Sequence, residues 1–308
     1  MKTIDRDFQT YITIIDKFIG ISSLDKEKAE LIKSELKTYL NVRLKKNKWF
    51  PIDITKFSTD WYREFYRMVD GEDPYKAIKQ KSNGLAQQIV ANLSVDSFEE
   101  AIAAGIIGNN IDYGAEVHGK QYNLENIDKD IRMIKKLPLH VDETEIFKQK
   151  LQKAKKIVFL ADNNGEAVFD KYLLDYLSKQ VGKSNLYIFG KSGPMLNDVT
   201  IEDLEEIGVS QYGQIVSTGS NCFGLHKEEV SEECVRLLKE ADLIVAKGQA
   251  YMEFFTEYNF TNVIHLLAVK YPIVGLAFGT LYQGYNIVMS SERYAHLGKN
   301  YFEQGGMG

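Results

Sequence analysis

The sequence predicts an α/β fold, a layered sheet with a helical N-terminal part, and two features of its hydrophobic pattern lead to this prediction. Up to about residue 150, apolar residues recur at the three- and four-residue spacings of amphipathic helices. Beyond that point, short and almost wholly apolar runs alternate with further helical patterns, which is typical of a parallel sheet covered on both faces. A length of 308 residues fits one α/β core with a helical subdomain. We therefore expect a helical subdomain at 1–150 and an α/β core at 151–308.

The helices of the first part follow from capping residues, periodicity and breaks. Ser22 and Asp25 have the spacing of a capping box. The helix that they precede has one apolar stripe, made of Ala29, Ile32, Leu36 and Leu40. Further helices are predicted at 60–69, 74–92 and 97–107, with breaks at Gly71, Asp73 and Pro74.

Five buried strands are predicted in the second part. They cover residues 156–161, 186–189, 214–217, 243–246 and 273–278. Two apolar stripes between them predict covering helices: Phe169, Tyr172, Leu173, Tyr176 and Leu177, and then Val230, Cys234, Leu237, Leu238 and Ala241. Ligands of such sheets bind beyond the carboxyl ends of the strands. The residues that directly follow each strand are therefore the candidates for chemistry.

The composition argues against several classes of protein. With 38 basic and 43 acidic residues, the net charge of −5 gives no electrostatic reason to bind nucleic acid or an anionic membrane. The two cysteines, Cys222 and Cys234, offer no disulfide framework and suit a reducing compartment. The N-terminus lacks the pattern of a signal peptide, and no apolar run reaches the roughly 18 residues of a membrane span. We expect a cytoplasmic protein without a membrane partner; the pattern favours no oligomeric state.

The most informative stretch follows the first predicted strand, where Asp162, Asn163, Asn164, Gly165 and Glu166 precede a helix. A carboxylate beside an amide carbonyl offers the hard oxygen ligands that Mg²⁺ or Mn²⁺ prefers. The helix N-terminus that follows offers free N–H groups to an anion such as phosphate. Alternatively, the aspartate and asparagines are turn and capping residues that start the helix. The position directly after a buried strand favours a functional role.

Three further strand ends carry related chemistry. Asp198 follows the second strand and is either a second metal carboxylate or a turn residue, whereas Thr200 and Asp203 form a capping box. After the third strand, the loop of Thr218, Gly219 and Ser220 is either a phosphate cradle or a structural loop. Lys247 after the fourth strand is either a counter-charge for a phosphoryl group or a solvated lysine. Together these ends indicate a site for metal and phosphate.

One more polar segment lies in the helical part. Asn109, Asn110 and Asp112 stand between Gly108 and Gly114 and predict a tight loop, which either closes over the site or is a simple turn. Other arrangements are missing from the sequence. The histidines lack zinc-ligand spacing, and there is no Gly-x-Ser-x-Gly motif, P-loop or dinucleotide fingerprint.

The run Asp-Asn-Asn-Gly-Glu at 162–166 resembles the Asp-Asn-Ala-Gly-Glu signature of the damage-control phosphatases, first described as domain of unknown function 89. The resemblance covers most of the chain in order. Its other motifs are Asp73-Pro74-Tyr75 with Lys79 and Asn83, Gly108-Asn109-x-Ile111-Asp112, Lys191-x-x-Pro194-x-x-Asn197-Asp198-Val199-Thr200, Gly219-Ser220 and Lys247-Gly248. Two features differ: Asn164 replaces the usual alanine, and the N-terminal Cys-x-x-Cys of many microbial members is missing.

The resemblance implies a three-layer α/β/α core with a mainly parallel sheet. It implies a divalent metal, Mn²⁺, Co²⁺, Ni²⁺ or Mg²⁺, held by Asp162, Asn163 and Asp198. The implied catalytic residues are Asp162, Asp198 and Lys247. Of these, Lys247 would hold the phosphoryl group. The implied substrate-binding residues are Asn109, Asp112, Glu166, Thr218, Gly219, Ser220 and Lys247. Substrates would be small phosphorylated metabolites, either sugar phosphates or damaged and overflow metabolites.

Several alternatives stay open on the sequence. The sequence does not name the general base, for which Asp112 and Glu166 are candidates. Asp162 is a covalent nucleophile in a rival mechanism, although the aspartyl-phosphate enzymes usually carry Asp-x-Asp and residue 164 is asparagine. An S-adenosylmethionine-dependent carboxyl methyltransferase, proposed for one branch of the family, and a non-catalytic phosphometabolite-binding protein are the rival functions.

Overall fold

The computed structural model describes residues 2–3, 15–16, 19–20, 24–46, 52–69, 73–110, 131–257, 260–269 and 286–292. The elements of the N-terminal part are β1 (Lys2–Thr3), α1 (Lys26–Lys46), β2 (Ile52–Asp53), α2 (Ile54–Met68), α3 (Lys76–Val90) and α4 (Phe98–Asn110). The remaining strands are β3 (Leu139–Asp142), β4 (Ile157–Leu160), β5 (Leu186–Gly190), β6 (Gln214–Ser217), β7 (Leu243–Lys247), β8 (Val263–Ala268) and β9 (Asn286–Ser290). The remaining helices are α5 (Thr144–Lys153), α6 (Glu166–Val181), α7 (Ile201–Ile207), α8 (Glu232–Glu240) and α9 (Gly248–Glu257).

A seven-stranded, mainly parallel sheet confirms the predicted fold class. Its order is β3-β9-β8-β7-β4-β5-β6, and β9 runs antiparallel to β8. From β4 the chain adds β5 and β6 on one side and then returns to place β7 and β8 on the other. The direction of winding therefore changes between β4 and β7, and ligands of parallel sheets bind in the crevice at such a point. Four of the five predicted strands are confirmed, and the fifth, 273–278, lies outside the described residues.

Helices cover both faces of this sheet, as a three-layer α/β/α core requires. Ile157 and Phe159 of β4 belong to the apolar cluster that includes α4 and α6, whereas Val158 and Leu160 belong to the cluster with α8 and α9. A third cluster around Trp61 joins α1 and α2. None of the described helices is long and apolar enough to cross a membrane. Strand β3 and helix α5 belong to the sheet layers although both begin before residue 150. The division at residue 150 stays a prediction.

Helix α4 corrects the predicted tight loop at 108–114. Gly108, Asn109 and Asn110 form its last turn, and the rest of the predicted loop lies outside the described residues. The glycines serve close packing rather than a turn. A Cβ on Gly108 would lie 3.1 Å from Phe169, and one on Gly105 would lie 2.7 Å from Asp170 Oδ1. Both neighbours belong to α6, so the glycines allow α4 to approach that helix closely.

His265 gives the sheet a predictable response to acid. The residue lies in β8 and is fully buried, and burial lowers the pKa of its imidazole to about 3. The unfolded chain, with a histidine pKa of about 6.5, binds a proton before the folded chain does. Stability is therefore lost as the pH falls below about 6.5, by about 1.4 kcal/mol between pH 7.5 and 5.5. In urea titrations at these two pH values, the free energy of unfolding of His265→Leu should fall by about 1.4 kcal/mol less than that of wild type. An equal fall in both proteins would show that His265 does not cause it.

Candidate active site

The loops after β4 and β5 are joined to each other by backbone hydrogen bonds. Val199 N donates to the carbonyl oxygen of Asp162 at 2.9 Å, and Asn163 and Asp198 form an isolated β-bridge. These contacts bring Asp162, Asn163 and Asp198, which were predicted as metal ligands, to one place beside the crevice. The capping box of Thr200 and Asp203 is confirmed at the start of α7.

Asn164 links the two loops to α3. Its amide nitrogen lies 3.1 Å from the carbonyl oxygen of Asn197 and 3.3 Å from that of Asp198. Its amide oxygen accepts from Asn83 Nδ2 at 2.8 Å, and Asn83 Oδ1 accepts from Gly165 N at 2.6 Å. The residue that departs from the family signature therefore holds the loops together, which alanine has no polar atoms to do.

Two asparagine amides surround the carboxylate of Asp162. Asn163 Nδ2 donates to Asp162 Oδ2 at 2.8 Å and to Glu166 Oε2 at 3.0 Å. Asn109 Nδ2 donates to the same two oxygens, at 3.2 Å and 2.6 Å. The amide oxygen of each asparagine points away from these carboxylates, and Asn109 Oδ1 is buried without a partner among the described residues.

This donor set fits a divalent metal ion. Two carboxylates and one amide carbonyl are the hard oxygen ligands that such ions bind. Within the described residues, no group of three or more His, Cys, Asp or Glu side chains could hold a metal. The predicted set therefore depends on the amide oxygen of Asn163 as its third protein ligand.

Gly248 places the first turn of α9 against Asp162. Its φ of +74° lies in the left-handed region, and a Cβ at this position would be 2.0 Å from Asp162 Oδ2. Glycine is therefore required both by the backbone and by the close approach. The N-terminus of α9 thus lies beside the carboxylate at the point where β7 and β4 diverge.

Lys247 is fully buried among acceptors. Its Nζ lies 2.5 Å from Asp170 Oδ1 and 2.8 Å from Glu166 Oε1, and it donates to the carbonyl oxygen of Gly105 at 3.0 Å. Burial lowers the pKa of Lys247, but the two carboxylates outweigh this and the net shift is upward. Burial raises the pKa of Asp170 to about 7, although Lys247 opposes the rise. Contact of Lys247 with a phosphoryl group stays a prediction.

The loop at 218–220 uses its hydroxyl groups internally. Gly219 has a φ of +81°, and Thr218 Oγ1 donates to the carbonyl oxygen of Ser220 at 2.7 Å. Ser220 Oγ donates to Glu229 Oε2 at 2.9 Å and accepts from Arg63 Nη2 at 3.2 Å. The structure thus shows a loop held by its own side chains and by α2, and its role as a phosphate cradle stays a prediction. Asp112 lies outside the described residues.

The chain is similar to known proteins over most of its length. The model of the damage-control phosphatase ARMT1-like domain matches residues 6–280. The chain belongs to this family of damage-control phosphatases. A damage-control phosphatase of Pyrococcus horikoshii is 31% identical over 217 residues, which are 69% of this chain and 73% of the relative. One of Archaeoglobus fulgidus is 31% identical over 220 residues, 69% of this chain and 74% of the relative.

The fold comparison agrees with the family. A crystal structure of a domain-of-unknown-function-89 protein from Pyrococcus horikoshii has a TM-score of 0.80 and 26% identity, covering 93% of this chain and 98% of that one. The predicted family and fold are therefore confirmed, and the chain is a phosphatase by class.

The phosphatase has three further polar groups near this crevice that sequence reasoning did not assign. Lys191 Nζ donates to the carbonyl oxygens of Cys222 and Gly224 at 2.6 and 2.7 Å and lies 3.9 Å from Asp198 Oδ2. Arg63 of α2 donates to Asn221 Oδ1 and forms an ion pair with Glu229. The position of Lys191 directly after the second strand could have marked it as a candidate site residue. Nothing in the local sequence marks Arg63, a single arginine within a helix.

Tyr251 is the third such group. Its side chain is 1% exposed, and its hydroxyl has no hydrogen-bond partner in the described part of the chain. Burial raises the pKa of Tyr251 well above its usual value, and the charges of Asp198 and Asp162 raise it further. The hydroxyl is therefore a proton-bearing donor influenced by both carboxylates, and the described residues offer it no acceptor.

Tyr251→Phe should stabilise the phosphatase while lowering its turnover. Removing a buried hydroxyl that lacks a partner among the described residues relieves a desolvation cost of about 1 kcal/mol, and turnover should fall because a donor proposed for the substrate is lost. The matched control is Tyr66→Phe, because Tyr66 OH accepts from Leu196 N at 2.9 Å. That variant should lose about 1–3 kcal/mol, since it leaves a buried N–H unpaired. Urea unfolding and phosphatase assays measure both effects; equal destabilisation by the two changes would contradict the reading.

Proposed function

We propose that this chain is a metal-dependent phosphomonoester hydrolase acting on small phosphorylated metabolites. The observation that supports it most is the grouping of Asp162, Asn163 and Asp198 at the crevice between β4 and β7, with the Asn163 amide nitrogen turned toward carboxylates. The names of the curated relatives support the reaction class. The residue types support the metal, since all three offer oxygen ligands.

Each part of the site has a task in this proposal. Asp162, Asn163 and Asp198 would hold the ion, which polarises a phosphoryl oxygen and lowers the pKa of a bound water when it is present. The N-terminus of α9, which lies beside Asp162, would present backbone N–H groups to the anionic substrate. Lys191 places a buried positive charge 3.9 Å from Asp198 Oδ2, and the hydroxyl of Tyr251 is available to donate to an oxygen of the substrate.

The rival mechanism through a phosphoaspartate is less well supported. Enzymes of that type use a second aspartate two residues after the nucleophile as acid and base. Here the corresponding residue is Asn164, whose amide is bonded to Asn83 and to two backbone carbonyls. Asn164 therefore has a structural task and no proton to transfer.

The test is hydrolysis of p-nitrophenyl phosphate by protein that has been stripped of metal. Mg²⁺, Mn²⁺, Co²⁺ and Ni²⁺ are added back separately, and we expect at least one to restore activity. Sugar phosphates are then screened with that ion. Folded protein that is inactive with every ion would overturn the proposal. Calorimetry with S-adenosylmethionine and with sugar phosphates then distinguishes the methyltransferase from the non-catalytic binding protein.

A further inference from the structure

Three buried charges lie directly behind the two asparagines of the candidate metal site. Lys247, Glu166 and Asp170 are 0%, 0% and 1% exposed. Lys247 comes from the end of β7, whereas both carboxylates come from the first turns of α6. The lysine therefore ties the central sheet to the helix that follows the candidate metal ligands.

The ammonium group of Lys247 is surrounded by protein acceptors. It donates to Asp170 Oδ1 and to the carbonyl oxygen of Gly105, and its Nζ forms an ion pair with Glu166 Oε1 at 2.8 Å. Gly105 permits this arrangement, because a Cβ there would lie 3.1 Å from Nζ and 2.7 Å from Asp170 Oδ1. The charge of Lys247 is thus directed away from the crevice and into the interface of α4 and α6.

Glu166 connects Lys247 to the amide groups of Asn109 and Asn163. One of its oxygens faces Lys247, and the other accepts from Asn109 Nδ2 at 2.6 Å and from Asn163 Nδ2 at 3.0 Å. An amide group that gives its NH₂ to a carboxylate must present its oxygen on the opposite side. The orientation of both asparagines therefore depends on two carboxylates, Asp162 and Glu166, and the position of Glu166 depends on Lys247.

We propose that Glu166, Lys247 and Asp170 are positioning residues, which hold the amides of Asn163 and Asn109 with their carbonyl oxygens toward the metal site. This inference rests on the proposed metal-dependent function and deepens it. It gives Glu166 a role other than general base and Lys247 a role other than phosphoryl contact. It also adds Asp170, which sequence reasoning did not assign. Partners of this kind, one step removed from the metal, are known to change metal affinity by about 10- to 100-fold.

Glutamine in place of Glu166 separates positioning from packing, because it has the same shape and different hydrogen bonding. If its oxygen faces the asparagines, its NH₂ faces the ammonium of Lys247, donor against donor. If its oxygen faces Lys247, its NH₂ faces the NH₂ groups of Asn109 and Asn163. This repulsion ends only when both asparagine amides rotate by 180°. An inverted Asn163 would present NH₂ to the ion, so both outcomes weaken metal binding.

The experiment is calorimetric titration of Mn²⁺ into metal-free wild type, Glu166→Gln and Glu143→Gln. Glu143 is the matched control, since its carboxylate bonds Ser290 at the sheet edge, away from the crevice. We expect wild type and the control to bind with equal affinity and Glu166→Gln to bind at least about tenfold more weakly. Equal affinity of all three would overturn the inference and leave the proposed function standing. Wild type that binds none of Mg²⁺, Mn²⁺, Co²⁺ and Ni²⁺ in the same titration would overturn both.

A double variant distinguishes a conflict of hydrogen-bond donors from general damage to the fold in Glu166→Gln. In Glu166→Gln with Lys247→Met, the ammonium is gone, so the glutamine is free to turn its oxygen to the two asparagines. We expect Mn²⁺ affinity to recover to within about threefold of wild type, because the conflict of donors is removed. Affinity at or below that of the single variant, in protein with the wild-type circular dichroism spectrum, would overturn the positioning role.

Discussion

Asp162→Ala should abolish metal-stimulated phosphatase activity, lowering kcat/KM by about 10³-fold or more, because a lost metal ligand removes several kcal/mol of transition-state stabilisation. The fold should be retained. Asp162 is partly exposed, and its neighbours Asn109 and Asn163 keep Glu166 Oε2 as an acceptor after the change. The measurements are p-nitrophenyl phosphate hydrolysis with the activating ion, Mn²⁺ calorimetry and thermal unfolding.

A matched control for this change lies in the helix that follows. Asp175 of α6 is an exposed carboxylate whose ion-pair partner is Lys179. Asp175→Ala should leave both Mn²⁺ affinity and turnover unchanged. If Asp162→Ala keeps wild-type activity with the ion, Asp162 is not a ligand, and the assignment of the metal site fails.

Lys247→Met should cause the largest loss of stability of any single change considered. Methionine fills a similar volume, but it leaves Glu166 and Asp170 buried without their shared cation. Removing one partner of a buried ion pair typically costs about 3–5 kcal/mol, because the remaining charge is not compensated. Urea unfolding at pH 8 should show a loss of this order. Lys156→Met at the exposed pair with Glu240 is the control and should leave the unfolding midpoint nearly unchanged.

The same variant should respond to pH in a defined direction. Burial already raises the pKa of Asp170 to about 7, and loss of the ammonium removes the opposing effect of Lys247. A carboxyl whose pKa is raised on folding stabilises the folded state below its unfolded pKa, and this stability is lost as the pH rises through the folded value. The deficit of Lys247→Met should therefore be smaller at pH 6 than at pH 8. A deficit that is equal at both values would mean that the buried carboxyls do not take up a proton.

Much of the fold and part of the site could be predicted from local sequence. Strands β4, β5, β6 and β7 are short apolar runs bounded by polar residues, so their positions depend mainly on neighbours in the chain. In a parallel sheet their carboxyl ends must lie on one edge, which is why Asp162, Asn163 and Asp198 could be grouped in advance. Strand β8, equally apolar over Val263–Ala268, was missed, as were the edge strand β3 and its neighbour β9. Strand β3 carries a weaker signal, since it alternates between buried and exposed residues.

The type and order of the residues determined that carboxylates, amides and a lysine would end neighbouring strands, because that follows from the hydrophobic pattern alone. Only the tertiary structure decided which group each of them meets. Lys247, whose contact with a phosphoryl group stays a prediction, lies against Asp170, 77 positions earlier in the chain, and against the backbone of α4. Glycines in α4 permit that approach, and burial then selects the partners, since a buried charge requires compensation wherever the chain supplies it. Pairing over such distances depends on how helices pack, which no local pattern encodes.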